Sequence, residues 1–414
     1  MNRGILAGMR VVEASAFVAA PLGGLTLAQL GADVIRIDLP GGGLDHRRWP
    51  VAENGISLFW SGLNKAKRSI CIDFARPEGR ELATALIAAP GENCGMLLTN
   101  FPPRGWLSFE TLRARRADLI QLTIQGDHRG GSAVDYTVNP AIGLPYLTGP
   151  SGTHDPVNHI LPAWDLLTGQ MAATGLLAAE RHRRRTGEGQ HVKLALEDVA
   201  LAAMGNLGFI AEAQLGHERE RVGNYLYGAF GGDFVCADGV RVMVVGLTLK
   251  QWRGLCAALA LDEEIALLQD RLGLDLRAEG NRFRARDEIA GLVRARIGAR
   301  TIADIGEAFE RHGVCWSRYR TVRELVTDDP ACSEKNPLFG MVEHPDLGKL
   351  LTPTIPLDFE RGGRVAPAPA PGLGAHTDEI LADALGLDCA AIGRLHDEGV
   401  VAGAGAAEMQ ARRR

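Results

Sequence analysis

One segment of this chain limits the fold around it more than any other. In residues 158–201 a single acidic residue, Asp165, separates an apolar, proline-containing lead-in from a helical run, Leu166 to His182. The run is rich in glycine and alanine, which let a second element approach closely. A turn, Thr186 to Gln190, and an alternating strand, His191 to Leu196, follow it. The segment therefore predicts a closely packed helix with one carboxyl group at its start.

Two roles are open for Asp165 on this spacing. An aspartate just before a helix commonly caps it by accepting a backbone N–H. A helix start also favours an ionised carboxylate, which suits a functional group. The two roles are compatible.

Length and charge limit the class of protein. The chain has 414 residues, too many for one ordinary core, so we expect two domains. It is 46% hydrophobic and 23% charged, as a soluble globular protein is. A formal net charge of −5 argues against a nucleic-acid partner, which would call for a basic face.

Cysteine and histidine usage argues against disulfides and metal sites. The seven cysteines are scattered without a CxxC pair, which fits reduced thiols in a cytoplasmic protein. The eleven histidines form no HxxxH or HExxH pattern, so we expect no metal. The first residues are too broken for a signal peptide, and no apolar run approaches the length of a membrane span. We expect a cytoplasmic location and no membrane partner.

The first part of the chain alternates between strand-like and helix-like runs. Helices are predicted at 21–31 and 78–89, and strands at 9–14, 32–38, 69–74, 94–100 and 117–124. Such alternation predicts an α/β fold with a doubly wound parallel sheet. A dinucleotide-binding site is disfavoured, because no GxGxxG follows the first strand and the glycine run at 41–45 has no helix behind it.

The pattern changes further along the chain. We expect a large α/β domain from residues 1–220 and 330–414, interrupted by a smaller α+β domain at 221–329. The small domain should contain a strand at 241–246, a helix around Trp252 and a charged helix at 281–297. In the returning part, the Pro/Ala run at 365–374 predicts an extended linker, 376–386 a helix, and 402–414 a frayed tail.

The Asp165 segment, with its "GLLAAE" helix and "TGEGQ" turn, resembles the signature of the family III CoA transferases, the CaiB/BaiF-like proteins. Further resemblances keep the family's order: "GADVIRID" at 31–38, "LNKAKRSICID" at 63–73, "LLTNFPPRG" at 97–105, "DYTVNPAIGLPYLTG" at 135–149 and "PGLGAHTDEIL" at 371–381. The resemblance implies a Rossmann-like large domain, an interlocked homodimer and an acyl-CoA thioester as substrate, with no permanently bound cofactor.

The resemblance also implies that Asp165 is the catalytic nucleophile. It would attack the thioester to form a mixed anhydride and then an aspartyl-CoA thioester. A carboxylate with an ordinary pKa of about 3.9 is ionised at neutral pH and needs no general base.

Segments around the expected pocket resemble the family members that move CoA between the two carboxyl groups of one mesaconate molecule. An intermolecular transferase with a free dicarboxylate acceptor uses the same aspartate and stays open. A racemase would need a histidine where this chain has Val134. A CoA-binding module without catalysis is disfavoured by the complete Asp165 motif.

The same resemblance supplies candidate CoA contacts. For the nucleotide, adenine and pantetheine these are Phe17, Val18, Ile72, Asn100 and Phe101. For the phosphates they are Lys67, Arg68, Arg104 and the Arg47/Arg48 pair, since Leu39 stands where many relatives carry a phosphate-binding arginine. Candidates for the acyl pocket are Tyr136, Asn139, Trp164, Tyr225 and Tyr227.

Overall fold

The structure, a computed structural model, describes residues 4–406. Its strands, in chain order, are β1 (Arg10–Ala14), β2 (Asp33–Asp38), β3 (Arg68–Ile72), β4 (Met96–Thr99), β5 (Ile120–Gln125), β6 (His191–Ala195), β7 (Phe230–Val235), β8 (Arg241–Gly246), β9 (Cys315–Arg318), β10 (Phe339–His344), β11 (Gly348–Pro353) and β12 (Val401–Ala402).

The α-helices alternate with these strands. They are α1 (Ala19–Gln29), α2 (Leu58–Leu63), α3 (Pro77–Ile87), α4 (Phe109–Arg115), α5 (Asp135–Ala141), α6 (Ala163–Thr186), α7 (Leu196–Asn206), α8 (Phe209–Gln214), α9 (Leu249–Leu259), α10 (Asp262–Leu272), α11 (Glu279–Arg284), α12 (Arg286–Gly298), α13 (Ile302–His312), α14 (Val322–Asp328), α15 (Thr377–Leu385) and α16 (Cys389–Asp397).

A seven-stranded sheet with the order β12-β3-β2-β1-β4-β5-β6 forms the centre of the first part of the fold. All its pairs are parallel except β12 with β3. Two hydrophobic clusters cover its two faces. Val12, Ile35 and Leu97 contribute to one cluster, and their chain neighbours Val11 and Val34 contribute to the other. Because successive strand residues point to opposite faces, this division shows that the sheet is buried on both sides. The predicted parallel α/β sheet is confirmed.

Two adjacent glycines let α1 fit between the sheet and α6. A Cβ at Gly23 would lie 3.2 Å from the carbonyl oxygen of Gly169 in α6. A Cβ at Gly24 would lie 1.7 Å from a carboxylate oxygen of Glu13, a fully buried residue of β1. The missing side chains therefore allow α1 to pack on α6 and to cover the Glu13 carboxylate.

The chain forms two compact units. The first comprises the described residues up to Ile142, Ile160–Ile210 and those from Pro330 onward. It contains the seven-stranded sheet and the antiparallel β10–β11 hairpin. The second comprises Gly143–His159 and Ala211–Asp329. In it the antiparallel sheet β7-β8-β9 shares a core with α9, α12 and α13, centred on Phe230, Trp252 and Phe309.

Some predicted element boundaries are wrong. The helix predicted at 281–297 is broken at Ala285 into α11 and α12. The helix predicted from Leu166 begins three residues earlier, at Ala163, and continues to Thr186. The Pro/Ala run has no regular secondary structure, but Ala370 and Leu373 are buried against Trp60 and Cys71. The predicted frayed tail lies outside the described residues from position 407 onward, while Ala402 belongs to β12.

Among residues 4–406, no helix has the length and apolar character needed to cross a bilayer.

We predict that Gly24→Ala destabilises the protein. The new methyl group would overlap the buried Glu13 carboxylate, and overpacking of this kind costs about 1–3 kcal/mol. Urea unfolding should show a lower midpoint. The matched control is Gly393→Ala in the middle of α16, where nothing lies within 4 Å of the new Cβ. It should stabilise by about 0.5–1 kcal/mol through helix propensity. Equal effects of the two variants would show that α1 has room for a side chain.

Candidate active site

The topology places a crevice at the carboxyl ends of β1 and β4. These strands are parallel neighbours in the sheet but not in the chain, since β2 and β3 lie on the other side of β1. Open parallel sheets bind ligands at such switch points, outside the carboxyl ends of the strands. Phe17 and Val18 follow β1, and Asn100 and Phe101 follow β4. Four of the predicted CoA contacts are therefore brought together at this edge.

Hydrogen bonds tie the two loops of the crevice to each other. The Asn100 side-chain oxygen accepts from the Ala16 N–H at 3.0 Å, and its amide nitrogen donates to the Ala16 carbonyl at 2.7 Å. The Phe17 N–H donates to Asp45 at 2.8 Å. Phe17 has a φ of 69°, in the left-handed region that bulky residues rarely adopt. The loop is thus held in a strained conformation by side chains from other elements.

A buried group of charges lies beneath this loop. The Arg36 guanidinium donates to Asp38 at 2.8 Å, to Glu13 at 3.1 Å and to the Ser15 carbonyl at 3.1 Å. Arg36 and Glu13 are directly paired residues of β2 and β1. Arg36 is only 1% exposed, and its acidic partners raise its pKa against the effect of burial. It therefore stays charged and holds the end of β1 in position.

Asp165 is the third residue of α6 and lies beside the start of α1. A Cβ at Gly169 would lie 2.8 Å from the carbonyl oxygen of Ala19, the first residue of α1. Asp165 precedes Gly169 by one helical turn, so the two share a face of α6. The partly buried Asp165 side chain therefore projects at the crevice. Within the part of the chain that the structure describes, no hydrogen bond to its carboxylate is found.

The prediction of Asp165 as a possible N-cap is wrong. The N-cap position of α6 is Pro162, whose side chain cannot accept a hydrogen bond. The cap is supplied from α5 instead. One carboxylate oxygen of Asp135 accepts from the Trp164 N–H at 2.7 Å and from the Asp165 N–H at 3.1 Å. Because a distant residue meets the backbone's need for an acceptor, the Asp165 carboxylate is left for another task.

Burial raises the pKa of Asp165 to about 6, the negative charge of Asp135 adds to the increase, and Arg48 opposes it. The helix start also favours the ionised form. At neutral pH the group is therefore mostly ionised, but it is more basic than an ordinary aspartate. The ordinary value that the sequence led us to expect is too low.

Arg48 is the cation whose charge acts on Asp165. Its guanidinium carbon lies 5.8 Å from the ring centre of Phe17 and 5.3 Å from that of Phe59. The π electrons of the two rings attract the Arg48 guanidinium, and this attraction restricts the positions that its positive charge can take. The exposed Arg48 thus supplies a positive charge at the crevice.

The amino end of α1 is a second source of positive electrostatic potential at the crevice, besides Arg48. No side chain caps this helix, and its third residue, Pro21, has no N–H, so the first-turn N–H groups without a partner inside the helix are those of Ala19 and Ala20. Val18 occupies its N-cap position and is mostly buried. An anionic oxygen beside Asp165 would meet the positive end of the α1 dipole.

In the structure, three of the predicted CoA contacts bond to other residues or are buried. The Lys67 ammonium is buried and donates to Glu13, Asn64 and the Pro21 carbonyl. Burial lowers its pKa to about 8, and Glu13 opposes the decrease. Arg68 begins β3 and pairs with Asp33 at 2.6 Å, at the amino edge of the sheet rather than the carboxyl edge. The Ile72 side chain is fully buried in the core.

The remaining candidates for the phosphates and for the acyl pocket lie at different places in the structure. Arg104 is exposed after β4, at the carboxyl edge. Arg47 lines a cavity of about 350 Å³ together with Trp60 and His344. Trp164 donates from its indole N–H to the Asn139 side chain at 3.0 Å, beneath Asp165, and Tyr136 donates to the Ile160 carbonyl.

Tyr225 and Tyr227 belong to the second unit, where the Tyr227 hydroxyl donates to Glu212 at 2.6 Å. In residues 4–406 no three His, Cys, Asp or Glu side chains are grouped so that they would hold a metal ion.

Sequence reasoning missed the residues that position the site. Asp135, Asp45 and Arg36 are all nearly inaccessible to solvent, with exposures of 1% each. A charged residue inside an otherwise apolar strand, as Arg36 is in "VIRID", was the available signal. Asp135 and Asp45 lie in segments without periodicity, and nothing in their local sequence indicates burial.

Comparisons with known proteins identify the family. The model of CoA-transferase family III matches residues 6–377. This chain belongs to CoA-transferase family III.

Two curated relatives and one solved structure show how far the likeness extends. A 2-methylfumaryl-CoA isomerase from Chloroflexus aurantiacus is 61% identical over 403 residues, covering 97% of this chain and 98% of the relative. A succinyl-CoA–D-citramalate CoA-transferase from the same organism is 31% identical, covering 92% and 94%. The crystal structure of a CaiB/BaiF family protein from Brucella suis superposes with a TM-score of 0.75 at 25% identity, covering 92% of this chain and 99% of that one.

We predict that Asp165→Asn stabilises the fold at high pH. Because the folded pKa of about 6 exceeds the ordinary pKa of 3.8, ionisation of Asp165 destabilises the folded state. The penalty is absent below pH 3.8, grows as the pH rises and is complete above pH 6. The variant should gain about 1–2 kcal/mol at pH 8, less than the full shift converts to, because the side chain is partly solvated.

The measurement is thermal unfolding of both proteins at pH 3.5 and pH 8. The gain should vanish at the lower pH. A gain of the same size at both values would mean that the substitution acts through packing rather than through charge.

Proposed function

We propose that this enzyme moves CoA between the two carboxyl groups of one mesaconate molecule, converting 2-methylfumaryl-CoA into 3-methylfumaryl-CoA. The observation that carries the proposal is the Asp165 carboxylate. It is more basic than usual, has no hydrogen-bond donor in the described structure and faces a ligand crevice. The 61% identity to the Chloroflexus 2-methylfumaryl-CoA isomerase supports the choice of substrate.

The reaction uses Asp165 twice. Its carboxylate attacks the thioester carbonyl at carbon 1, and the C–S bond breaks to give a mixed anhydride and CoA thiolate. The thiolate then attacks the aspartyl carbonyl, which gives aspartyl-CoA and releases the carbon 1 carboxylate. The carbon 4 carboxylate attacks aspartyl-CoA and expels the thiolate again. Attack of the thiolate on carbon 4 of this second anhydride gives the isomeric thioester and restores the Asp165 carboxylate.

Each step exchanges one activated acyl bond for another, so the protein contributes position and electrostatics rather than a proton donor. Arg48 is the cation that would balance the second negative charge when free mesaconate and aspartyl-CoA are present together. The uncapped start of α1 would accept the oxyanion that develops on the attacked carbonyl.

For CoA itself, we propose that the carboxyl edge of the sheet supplies the contacts. Phe17, Val18, Asn100 and Phe101 form the crevice walls, and Arg104 is the exposed cation near them for a phosphate. Lys67 and Arg68 have other partners, and Arg48 remains as a further cation near the crevice.

A homodimer is part of the proposal. Large apolar side chains of the first unit are exposed on and near α6, namely Ile160 (94% exposed), Leu161 (58%), Leu167 (47%), Met171 (51%) and Leu207 (70%). Leu167 and Met171 are one helical turn apart and share a face. Exposed apolar side chains that share a helix face mark an interaction site, and a second copy of the chain would cover them.

We predict that Asp165→Ala abolishes CoA transfer, reducing kcat by at least about a thousandfold, because no second nucleophile is available. In the wild type the rate should fall as the pH drops through about 6, since the protonated carboxyl cannot attack. Rates are measured by chromatography of the two thioester isomers from pH 4.5 to 8. Hydroxylamine added during turnover should modify Asp165. A substantial rate in the alanine variant contradicts the proposal.

The intramolecular route has a separate test. 2-Methylfumaryl-CoA is incubated with excess isotopically labelled free mesaconate, and with succinate and acetate as competing acceptors. We expect CoA to move from carbon 1 to carbon 4 with little label in the thioester pool, because a bound dicarboxylate has a high effective concentration. Rapid entry of label, or formation of succinyl-CoA, makes the enzyme an intermolecular transferase with the same nucleophile.

Light scattering tests the assembly. We expect a dimer at micromolar concentration, weakened by Leu167→Glu with Met171→Glu, which place charges in an apolar contact. A wild-type monomer would contradict the proposed homodimer.

A further inference from the structure

Asp135 contacts the backbone that carries the nucleophile. It is the first residue of α5, is 1% exposed and lies 30 positions before Asp165 in the chain. One of its carboxylate oxygens accepts both the Trp164 N–H and the Asp165 N–H, at 2.7 and 3.1 Å. An ionised carboxylate accepts hydrogen bonds without donating, which matches these two donors.

We propose that Asp135 is a positioning residue that anchors the first turn of α6 and, through its charge, makes the Asp165 carboxylate a stronger base and nucleophile. The inference deepens the proposed function and rests on Asp165 acting as the nucleophile.

The anchoring half of the role follows from the way α6 begins. Pro162 and the start of α6 offer no side-chain acceptor to the first N–H groups. Without Asp135 the N–H groups of Trp164 and Asp165 would lose their acceptor, and the first turn would fray. Because Asp165 lies in that turn, fraying would move its carboxylate away from the start of α1. The buried Trp164 ring, bonded to Asn139 in the same helix α5, reinforces this attachment.

The electrostatic half follows from the proximity of two carboxylates. Since Asp135 bonds the backbone of Asp165, the two acidic groups belong to neighbouring positions in a partly buried site. A like charge disfavours ionisation and so raises basicity. The charged groups acting on Asp165 are Asp135 from α5 and Arg48 from the loop before α2, with opposite effects. Burial raises the pKa further.

The start of α6 needs an acceptor for its N–H groups, whereas the proposed nucleophile needs to remain basic. Asp135 supplies the acceptor, so Asp165 does not have to. The dipole and free N–H groups of a helix stabilise an anion and weaken it as a nucleophile. By occupying those N–H groups, Asp135 keeps them from the Asp165 side chain. Its charge also offsets the dipole.

The experiment separates charge from hydrogen bonding with Asp135→Asn. The amide oxygen of asparagine still accepts an N–H, but the negative charge is gone. Asp165 is titrated directly by its reaction with a water-soluble carbodiimide, which needs the protonated carboxyl, and the labelled peptide is quantified by mass spectrometry from pH 3.5 to 8. We expect the midpoint for Asp165 to fall below the wild-type value of about 6 in the variant, while burial still holds it above that of an ordinary aspartate.

Turnover gives a second readout. In Asp135→Asn the acid limb of kcat should move to lower pH together with the carbodiimide midpoint. The variant should be several-fold slower than the wild type at pH 8, where both nucleophiles are ionised and the weaker base attacks more slowly. Near pH 5 the difference should shrink or reverse, because more of the variant's Asp165 is ionised. KM should change less than kcat, since Asp135 is not proposed to touch the substrate.

Two further variants keep the test decisive. Asp135→Ser removes the charge with a short neutral acceptor, and serves if the asparagine variant does not fold. Asp388→Asn is the matched control, because Asp388 caps α16 through the Ala391 N–H at 2.7 Å with no nucleophile beside it. It should leave the Asp165 midpoint unchanged.

The outcomes distinguish this inference from the proposed function. An unchanged Asp165 midpoint in a folded, charge-free variant would overturn the electrostatic role, even if Asp165 is the nucleophile. An equal loss of rate at every pH would leave only a structural role and also overturn the inference. If instead Asp165→Ala is active, the proposed nucleophile fails, while the carbodiimide midpoints still report whether Asp135 tunes Asp165.

Discussion

The buried Arg36 guanidinium is the interaction on which the crevice depends. It joins residues at the ends of β1 and β2 and bonds the Ser15 carbonyl, where the chain leaves the sheet. Taking these charges out of water is costly, and the cost is offset only when every partner is in place. Asp45 lies 3.6 Å from the same guanidinium and holds the Phe17 N–H. The strained turn at Phe17 is thus maintained by an ionic group that cannot rearrange cheaply.

Close packing of α1 and α6 fixes the position of the proposed nucleophile relative to this ionic group. Gly24 lets α1 cover the Glu13 carboxylate, and Gly169 lets α6 approach the first residue of α1. A helix held this closely on both sides cannot shift without creating voids or overlaps. The position of Asp165 is therefore coupled to the ionic group below the loop through two helices in direct contact.

The sheet could be predicted from the sequence, because buried parallel strands are short apolar runs separated by helical patterns. Asp165 was found because the small-residue helix, turn and strand around it lie in one continuous segment. The remaining features depend on contacts that no local pattern contains. The segment "NKAKRS" shows three cations, but not that Lys67 is enclosed by Glu13 and Asn64, or that Arg68 lies at the amino edge. Arg68 lies at that edge because it is the first residue of β3, which runs parallel to β2.

Asp165 was open to two interpretations because its helix cap comes from a distant part of the chain. A local pattern assigns the cap to the acidic residue nearest the helix start, because capping side chains commonly lie within a turn of the N–H groups that they accept. Here the acceptor comes from α5, so that the cap and the reactive carboxylate are different residues. This separation has a chemical consequence. A carboxylate that caps its own helix is stabilised as an anion and is a weaker base, whereas one whose helix is capped by a neighbouring acid keeps its lone pairs and gains basicity. A chain that needs an aspartate to attack a thioester is better served by two acids than by one.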